Sequence, residues 1–140
     1  MLTRIDHVGI ACRDLDEKAA FYESVFGLRV VSREVIEEQG VEEAMLRVAD
    51  APAGTSYVQL LRPLGPGTPV GRFLERRGEG IHHIGYGVAD ITAALARIGA
   101  AGVRLIDERP RHGSMGASIA FLHPADIGGV LTELVQAGGA

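Results

Sequence analysis

Residues 4–11 alternate in polarity and size. His7, Gly9 and Ala11 fall on one side of an extended chain, and Val8, Ile10 and Cys12 on the other. The apolar set is the side expected to pack on a helix, and the His/Gly/Ala set the side that faces an open concave surface. Asp14 stands where an N-cap belongs, ahead of a helix from Leu15-Asp16 to about Val25. Ala19, Ala20, Tyr22 and Phe26 are its expected buried stripe, and Gly27 its stop. Leu28 to Val35 reads as a second strand, followed by a turn at Glu37-Glu38-Gln39-Gly40. Val41 to Val48 alternates again, with Ala44, Leu46 and Val48 opposite Glu43, Met45 and Arg47. After the loop Asp50 to Thr55, Ser56 to Arg62 reads as a fourth strand that separates Val58 and Leu60 from Gln59 and Leu61. Pro63 to Pro69 is a proline- and glycine-rich linker, and Val70 to Arg77 a short helix bearing Arg72, Arg76 and Arg77.

From residue 80 the plan repeats. Ile81 to Val88 is a strand with His83, Gly85 and Gly87 on one face, and Asp90 caps a helix from Ile91 to Ile98. Val103 to Asp107 reads as a strand and Pro110 to Gly116 as a loop. Ala117 to Leu122 and Gly129 to Val135 complete the strands, and Gln136 to Ala140 reads as a frayed tail. At an offset of 76 positions Ile5, His7, Gly9 and Asp14 meet Ile81, His83, Gly85 and Asp90. At an offset of 74, Val58-Gln59-Leu60-Leu61 meets Thr132-Glu133-Leu134-Val135. Two copies are too few for a solenoid. They indicate two modules, 1–63 and 80–136, joined by a linker and short helix over 64–79, within a single 140-residue domain.

The duplication pairs His7 with His83 and Gln59 with Glu133. An isolated strand histidine is more often a satisfied interior residue, and an isolated glutamate on a last strand is usually solvated. Four polar positions obeying one repeat weaken that plainer interpretation. Two imidazoles, an amide oxygen and a carboxylate suit a divalent first-row ion such as Co, Mn, Ni, Fe or Zn better than a structural thiolate site. Glu43, on the same face as Met45, is the candidate general base. Alone it would read as an exposed strand residue beside Glu42.

Composition narrows the partners. A net charge of −4 and a pI near 5.7 argue against a nucleic-acid surface or an anionic membrane. Cys12 is the one cysteine, so no disulfide framework exists and the cytoplasm is the expected location. Neither a signal peptide nor an apolar run of membrane-spanning length is visible in the sequence.

Six runs carry a resemblance over nearly the whole chain: Ile5 to Ala11, Glu38 to Leu46, Tyr57 to Leu61, Gly80 to Ile84, Phe121 to Pro124 and Gly129 to Leu134. The chain resembles the vicinal oxygen chelate superfamily (glyoxalase, bleomycin resistance, dioxygenase) and, within it, the methylmalonyl-CoA epimerase family. The resemblance implies an α+β fold. Two βαβββ modules would form an open curved eight-stranded mixed sheet around a metal cleft. It implies metal ligands His7, Gln59, His83 and Glu133, and an acid/base pair of Glu43 and Glu133. The implied cofactor is one divalent ion, Co2+ in the first place, with Mn2+, Ni2+ or Zn2+ as alternatives. The implied activity interconverts the two C2 epimers of methylmalonyl-CoA through proton abstraction and a metal-stabilised enolate. A homodimer acting on an acyl-CoA thioester, with no nucleic-acid or membrane partner, completes the expectation.

One departure concerns the substrate's grip. Family members commonly carry a basic residue after the Gly-Ser-Met-Gly stretch and another after the His-Pro. Here those places read Ala117-Ser118 and Ala125-Asp126. Gln39, Arg111 and the backbone of Ser114, Met115 and Gly116 are the candidate substrate contacts, with His112 beside them and Arg72, Arg76 and Arg77 as candidates for CoA phosphates. Two rival readings are a glyoxalase-type lyase or isomerase and a drug-sequestering binding protein. The first has no need of Glu43 in its Glu-Gln-Gly-Val setting. The second tends to lose the metal ligands and needs a stacking platform, which a chain with 5% aromatic residues and no Trp lacks.

Overall fold

The computed structural model describes residues 1–138. Eight strands and three α-helices follow in the order β1 (Leu2–Ala11), α1 (Leu15–Phe26), β2 (Leu28–Ile36), β3 (Val41–Val48), β4 (Tyr57–Pro63), α2 (Pro69–Arg77), β5 (Gly80–Val88), α3 (Ile91–Ala100), β6 (Arg111–His112), β7 (Ser118–Leu122) and β8 (Thr132–Gln136). The eight strands make one mixed sheet in the order β2-β3-β4-β1-β5-β8-β7-β6. This is the α+β, twice-βαβββ plan expected from the sequence. The chain clusters into two compact units whose divide runs through β1 and β5. His7–His82 form one, and Met1–Asp6 with the residues from His83 onward form the other.

In the unit His7–His82, β1 pairs parallel with β4, and β4 antiparallel with β3, which pairs in turn with β2. One sheet face packs on α1 through Cys12, Leu15, Ala19, Ala44, Leu46 and Leu60. Asp14 caps α1 by accepting from Glu17 N at 3.0 Å, and Gly27 ends it at φ 72°, a backbone angle that glycine adopts freely. The buried stripe is narrower than the sequence suggested. Leu15, Ala19 and Tyr22 face the sheet, whereas Ala20 is exposed and Phe26 is 62% exposed. Phe26 keeps the helical spacing but sits on the last residue of the helix, where little of the sheet remains to cover it.

The opposite sheet face is open only in part. Ala11, expected on an open surface, is wholly buried with Ile36, Val41 and Leu61 beneath Val70 and Leu74 of α2. Thr68 caps α2 by accepting from Gly71 N at 3.1 Å and donates its own hydroxyl to Gly65 O at 2.7 Å, so the linker and the helix start are one hydrogen-bonded turn.

In the other unit β5 pairs parallel with β8, and β7 lies antiparallel between β8 and β6. Asp90 caps α3 through Ala93 N at 3.0 Å, repeating Asp14, and Gln136 Oε1 accepts from Ile91 N at 2.9 Å. Val88, Ile91, Ala94 and Leu95 pack against Ala120, Leu122 and Leu134. The expected strand Val103–Asp107 is not one. That segment touches the sheet by a single bridge, Leu105 to Leu122, and by the amides of Ile106 and Asp107 on Phe121 O. The strand in that place is Arg111–His112, inside the stretch expected to be a loop. The last strand starts at Thr132 rather than Gly129, because Gly128 and Gly129 both take positive φ. Gln136 belongs to that strand and not to a tail, while the end of the expected tail, residues 139–140, lies outside the described residues.

Candidate metal centre and acid/base groups

Register places the candidate side chains unit by unit. In the unit His7–His82, Gly9 lies opposite Gln59 across β1 and β4, and Gln59 opposite Met45 across β4 and β3. Residues opposite one another share a face, as do residues two apart on a strand. His7, Gln59 and Glu43 therefore occupy the same face, the one turned away from α1. His7 is 3% exposed, Gln59 5% and Glu43 not at all. Gln59 Nε2 donates to Glu43 Oε2 at 3.1 Å. The amide nitrogen thus serves the carboxylate, and the amide oxygen is the atom suited to a metal.

In the other unit the pattern is the same. Gly85 lies opposite Glu133 across β5 and β8, and Phe121 opposite Glu133 across β7 and β8. His83 and Glu133 share the face turned away from α3, at 3% and 4% exposure. His83 Nε2 and Glu133 Oε1 are 3.8 Å apart. That is long for a direct hydrogen bond. It falls within the roughly 3.0–4.2 Å that separates two ligand atoms each about 2.1 Å from a shared ion. A buried carboxylate is retained only where it is paired or binds a metal, so this pair fits a divalent cation. The Phe121 ring meets the His83 ring edge-on, centroids 5.4 Å apart, and fills the position that Met45 holds in the first copy.

The copies differ at one place that matters. Glu43 lies opposite Leu61, and its counterpart in the repeat is Ile119, opposite Val135. One half carries a buried carboxylate where the other carries a buried aliphatic group.

The remaining candidates are distributed. His82, the neighbour of His83 on β5, lies edge-on to Phe73 of α2 with centroids 5.1 Å apart, and burial pushes its pKa down to about 4. Gln39 is half-buried in the 3-10 turn between β2 and β3. Ser114, Met115 and Gly116 form a 3-10 turn in which Met115 takes φ 54° and Gly116 φ 73°. A non-glycine residue held in that region costs on the order of 1 kcal/mol, and such cost collects at working sites. Arg111 forms an ion pair with Asp107, Nε to Oδ1, at 3.0 Å. Asp126 pairs with Arg104 at 2.9 Å, which holds its pKa down at about 2. On α2, Arg72, Arg76 and Arg77 are exposed. Phe121 and Asp107 were missed from sequence. Phe121 had a signal, since the 76-residue offset places it on Met45; Asp107 had none beyond its i,i+4 spacing to Arg111.

The model of the Glyoxalase/Bleomycin resistance protein/Dioxygenase superfamily matches residues 6–121. A solved methylmalonyl-CoA epimerase in complex with methylmalonyl-CoA and NH4+ is 53% identical, with a TM-score of 0.93 over 98% of this chain and 96% of that one. A variant of the Streptomyces coelicolor methylmalonyl-CoA epimerase in complex with 2-nitronate-propionyl-CoA is 51% identical, with a TM-score of 0.94 over 99% and 100% of the two chains. An ethylmalonyl-CoA/methylmalonyl-CoA epimerase of Cereibacter sphaeroides is 38% identical over 138 residues, 97% of this chain and 99% of that protein.

Proposed function

The chain belongs to the glyoxalase/bleomycin resistance protein/dioxygenase superfamily, and from that premise we propose that it is an epimerase that interconverts the C2 epimers of methylmalonyl-CoA. Relatives and solved structures with that activity in their names cover nearly all of the chain. The observation that carries the reading is Glu43, a carboxylate with no solvent exposure that accepts from Gln59 and shares a face with His7. His7, Gln59, His83 and Glu133 are the proposed ligands of one divalent ion. His7, His83 and Glu133 form a group of buried donors able to hold a metal. Such an ion supplies Lewis-acid polarisation and neutralises negative charge developing on an oxygen next to the reacting carbon.

The chemistry of the side chains follows from the substrate. The C2 hydrogen lies between a thioester and a carboxylate. Removing it breaks the C–H bond, and the electron pair moves toward the thioester oxygen as an enolate. Inversion requires one group to take the proton on one side of C2 and another to return a proton on the opposite side. Glu43 and Glu133 are the proposed pair. The amide of Gln59 fixes the Oε2 oxygen of Glu43. Ser114, Met115, Gly116, Gln39 and Arg111 are the proposed substrate contacts.

The finer parts of the reading rest on narrower supports. The mixed imidazole, amide and carboxylate donors favour a borderline ion, for which we take Co2+. The exposed Phe21, Val25 and Phe26 of α1 support a homodimer. The lone buried Cys12 supports a reducing cytoplasm. No helix among the described residues is long and apolar enough to cross a membrane.

The test is hydrogen–deuterium exchange at C2 of methylmalonyl-CoA in D2O, followed by NMR on cobalt-loaded protein. Rapid exchange of both epimers is expected, with Glu43→Gln losing about two to four orders of magnitude for the epimer whose hydrogen faces Glu43, the usual share of a general base. Absence of exchange in wild-type protein that binds the metal overturns the assignment.

A further inference from the structure

β6 is two residues long, yet it fixes which way Arg111 points. Arg111 lies opposite Ile119 across β6 and β7, and Ile119 lies opposite Val135 across β7 and β8. Residues opposite in an antiparallel pair share a face. Arg111 is thus on the face of Ile119, Phe121, Val135 and Glu133, turned away from α3. One strand, β7, lies between it and Glu133, so the two inter-strand steps give a lateral spacing of about 10 Å at roughly 4.8 Å each.

The guanidinium is held in place. Asp107 Oδ1 meets Arg111 Nε at 3.0 Å, and Asp107 Oδ2 accepts from Phe121 N at 2.9 Å. One carboxylate therefore ties the arginine to the strand position directly opposite Glu133. Nε is out of contact with solvent and faces Asp107 as an ion pair without hydrogen-bond alignment, while the side chain as a whole keeps 34% exposure. The contact with Asp107 is at Nε, which leaves the edge with the two amino groups outside that ion pair. That edge presents the parallel donors that match an oxyanion.

Arg109 is exposed in the loop before β6, and four other basic residues of this unit are engaged or placed elsewhere. Arg104 is spent on Asp126, and Arg4 on Asp6 at 2.6 Å. Arg97 lies on α3, and His112 opposes Ser118, so its side chain falls on the other face of the sheet. Ala117-Ser118 and Ala125-Asp126 carry no cation.

On the epimerase reading, we propose that Arg111, aimed by Asp107, is the cation that takes an oxyanion of the acyl-CoA substrate. Two parts of the substrate carry that chemistry, the C2-attached carboxylate and the CoA phosphates. Asp107 is the positioning residue, acting through Arg111 and not on the substrate.

The experiment compares methylmalonyl-CoA with methylmalonyl-pantetheine, which keeps the carboxylate and lacks the phosphates. Wild type, Arg111→Gln, Arg111→Lys and Asp107→Asn are assayed for kcat and KM by C2 exchange, with folding checked by thermal melting. Arg111→Gln is expected to raise KM for methylmalonyl-CoA about tenfold or more, the size of one lost charge-assisted contact, with kcat little changed. Arg111→Lys restores part of the loss. Asp107→Asn keeps an acceptor for Phe121 N, drops the ion pair and raises KM less than Arg111→Gln does. A rise with both substrates assigns the carboxylate; a rise with the CoA ester alone assigns the phosphates. Unchanged KM for both in a folded Arg111→Gln protein overturns the proposal, as does a fall in kcat alone. If wild type itself fails to exchange C2, the epimerase reading fails first, and direct calorimetric titration of Arg111→Gln against wild type with methylmalonyl-CoA still decides the arginine's role.

Discussion

At the scale of a residue, Gln59 does two things with one amide. Its nitrogen donates to Glu43 at 3.1 Å, and its oxygen is the proposed metal donor. Gln59→Glu separates these roles. The substituted side chain keeps an oxygen donor for a cation but replaces the N–H with a second carboxylate beside Glu43, in a place only 5% exposed. Two carboxylates at hydrogen-bond distance in a low-dielectric setting do not both ionise readily. A base that works as the carboxylate is then recruited only at higher pH. Gln59→Glu is expected to shift the acid limb of the kcat/KM–pH profile upward by about one unit or more, while cobalt binding, read by its absorption spectrum, persists. An unshifted acid limb would argue that Glu43 is not the group whose ionisation the profile reports.

At the scale of an element, the legible parts were those with a period. On β1, β3, β4, β5 and β8 the two-residue period and the repeat put His7, Glu43, Gln59, His83 and Glu133 on the face away from the helices, and the register places them there. The caps Asp14 and Asp90 were legible because a carboxylate three residues ahead of an orphan amide is a local matter. The region 103–112 was not. Val103 and Leu105 alternate with Arg104 and Ile106 as a strand does, but the segment is held by one bridge, by scattered backbone bonds to Phe121 and His123, and by the Asp107 side chain on Phe121 N. Arg111–His112 is too short to have a period at all; only pairing with Ile119 and Ser118 defines it. Burial of Ala11 under α2 was likewise illegible, since a strand's own alternation does not say what covers it.

Gly71 shows how an element can overrule propensity. It lies inside α2, where Gly→Ala ordinarily stabilises by about 0.5–1 kcal/mol. Here an added Cβ would sit 2.4 Å from Gly65 O and 2.9 Å from Pro66 O. Those atoms are backbone, and Gly65 O already accepts from Thr68 Oγ1 at 2.7 Å, so the turn cannot withdraw without losing that bond and loosening the cap. Overpacking of this kind costs about 1–3 kcal/mol, more than propensity returns. Gly71→Ala is expected to lower stability by roughly 1–2 kcal/mol in urea unfolding. A stabilised variant would show that the linker turn is free to move away.

At the scale of the whole molecule, the proposed ligands are His7, Gln59, His83 and Glu133. An ion that binds only the folded chain adds RT ln(1 + [M]/Kd) to its stability, about 2.7 kcal/mol at a hundredfold excess over Kd. For a chain of this length that corresponds to a rise in Tm of roughly 10 °C. Chelation of the loaded protein is therefore expected to lower Tm by about that much, and readdition of cobalt to restore it. Glu43→Gln leaves the proposed donor set intact, so it should keep the full metal-dependent shift while losing exchange activity. His7→Ala and Glu133→Ala each remove a proposed donor, and each should lose most of the shift. Both substitutions also change a buried position, so the apo Tm of each variant is its own reference. If Co2+, Mn2+, Ni2+ and Zn2+ all leave the wild-type Tm unmoved, the four side chains are not a metal site. Their burial would then need another account, beginning with the 3.8 Å contact between His83 and Glu133 as a proton-sharing pair. A shift that survives Glu133→Ala but not His7→Ala would place the ion on donors other than Glu133, and would leave Glu133 to act as an acid/base alone.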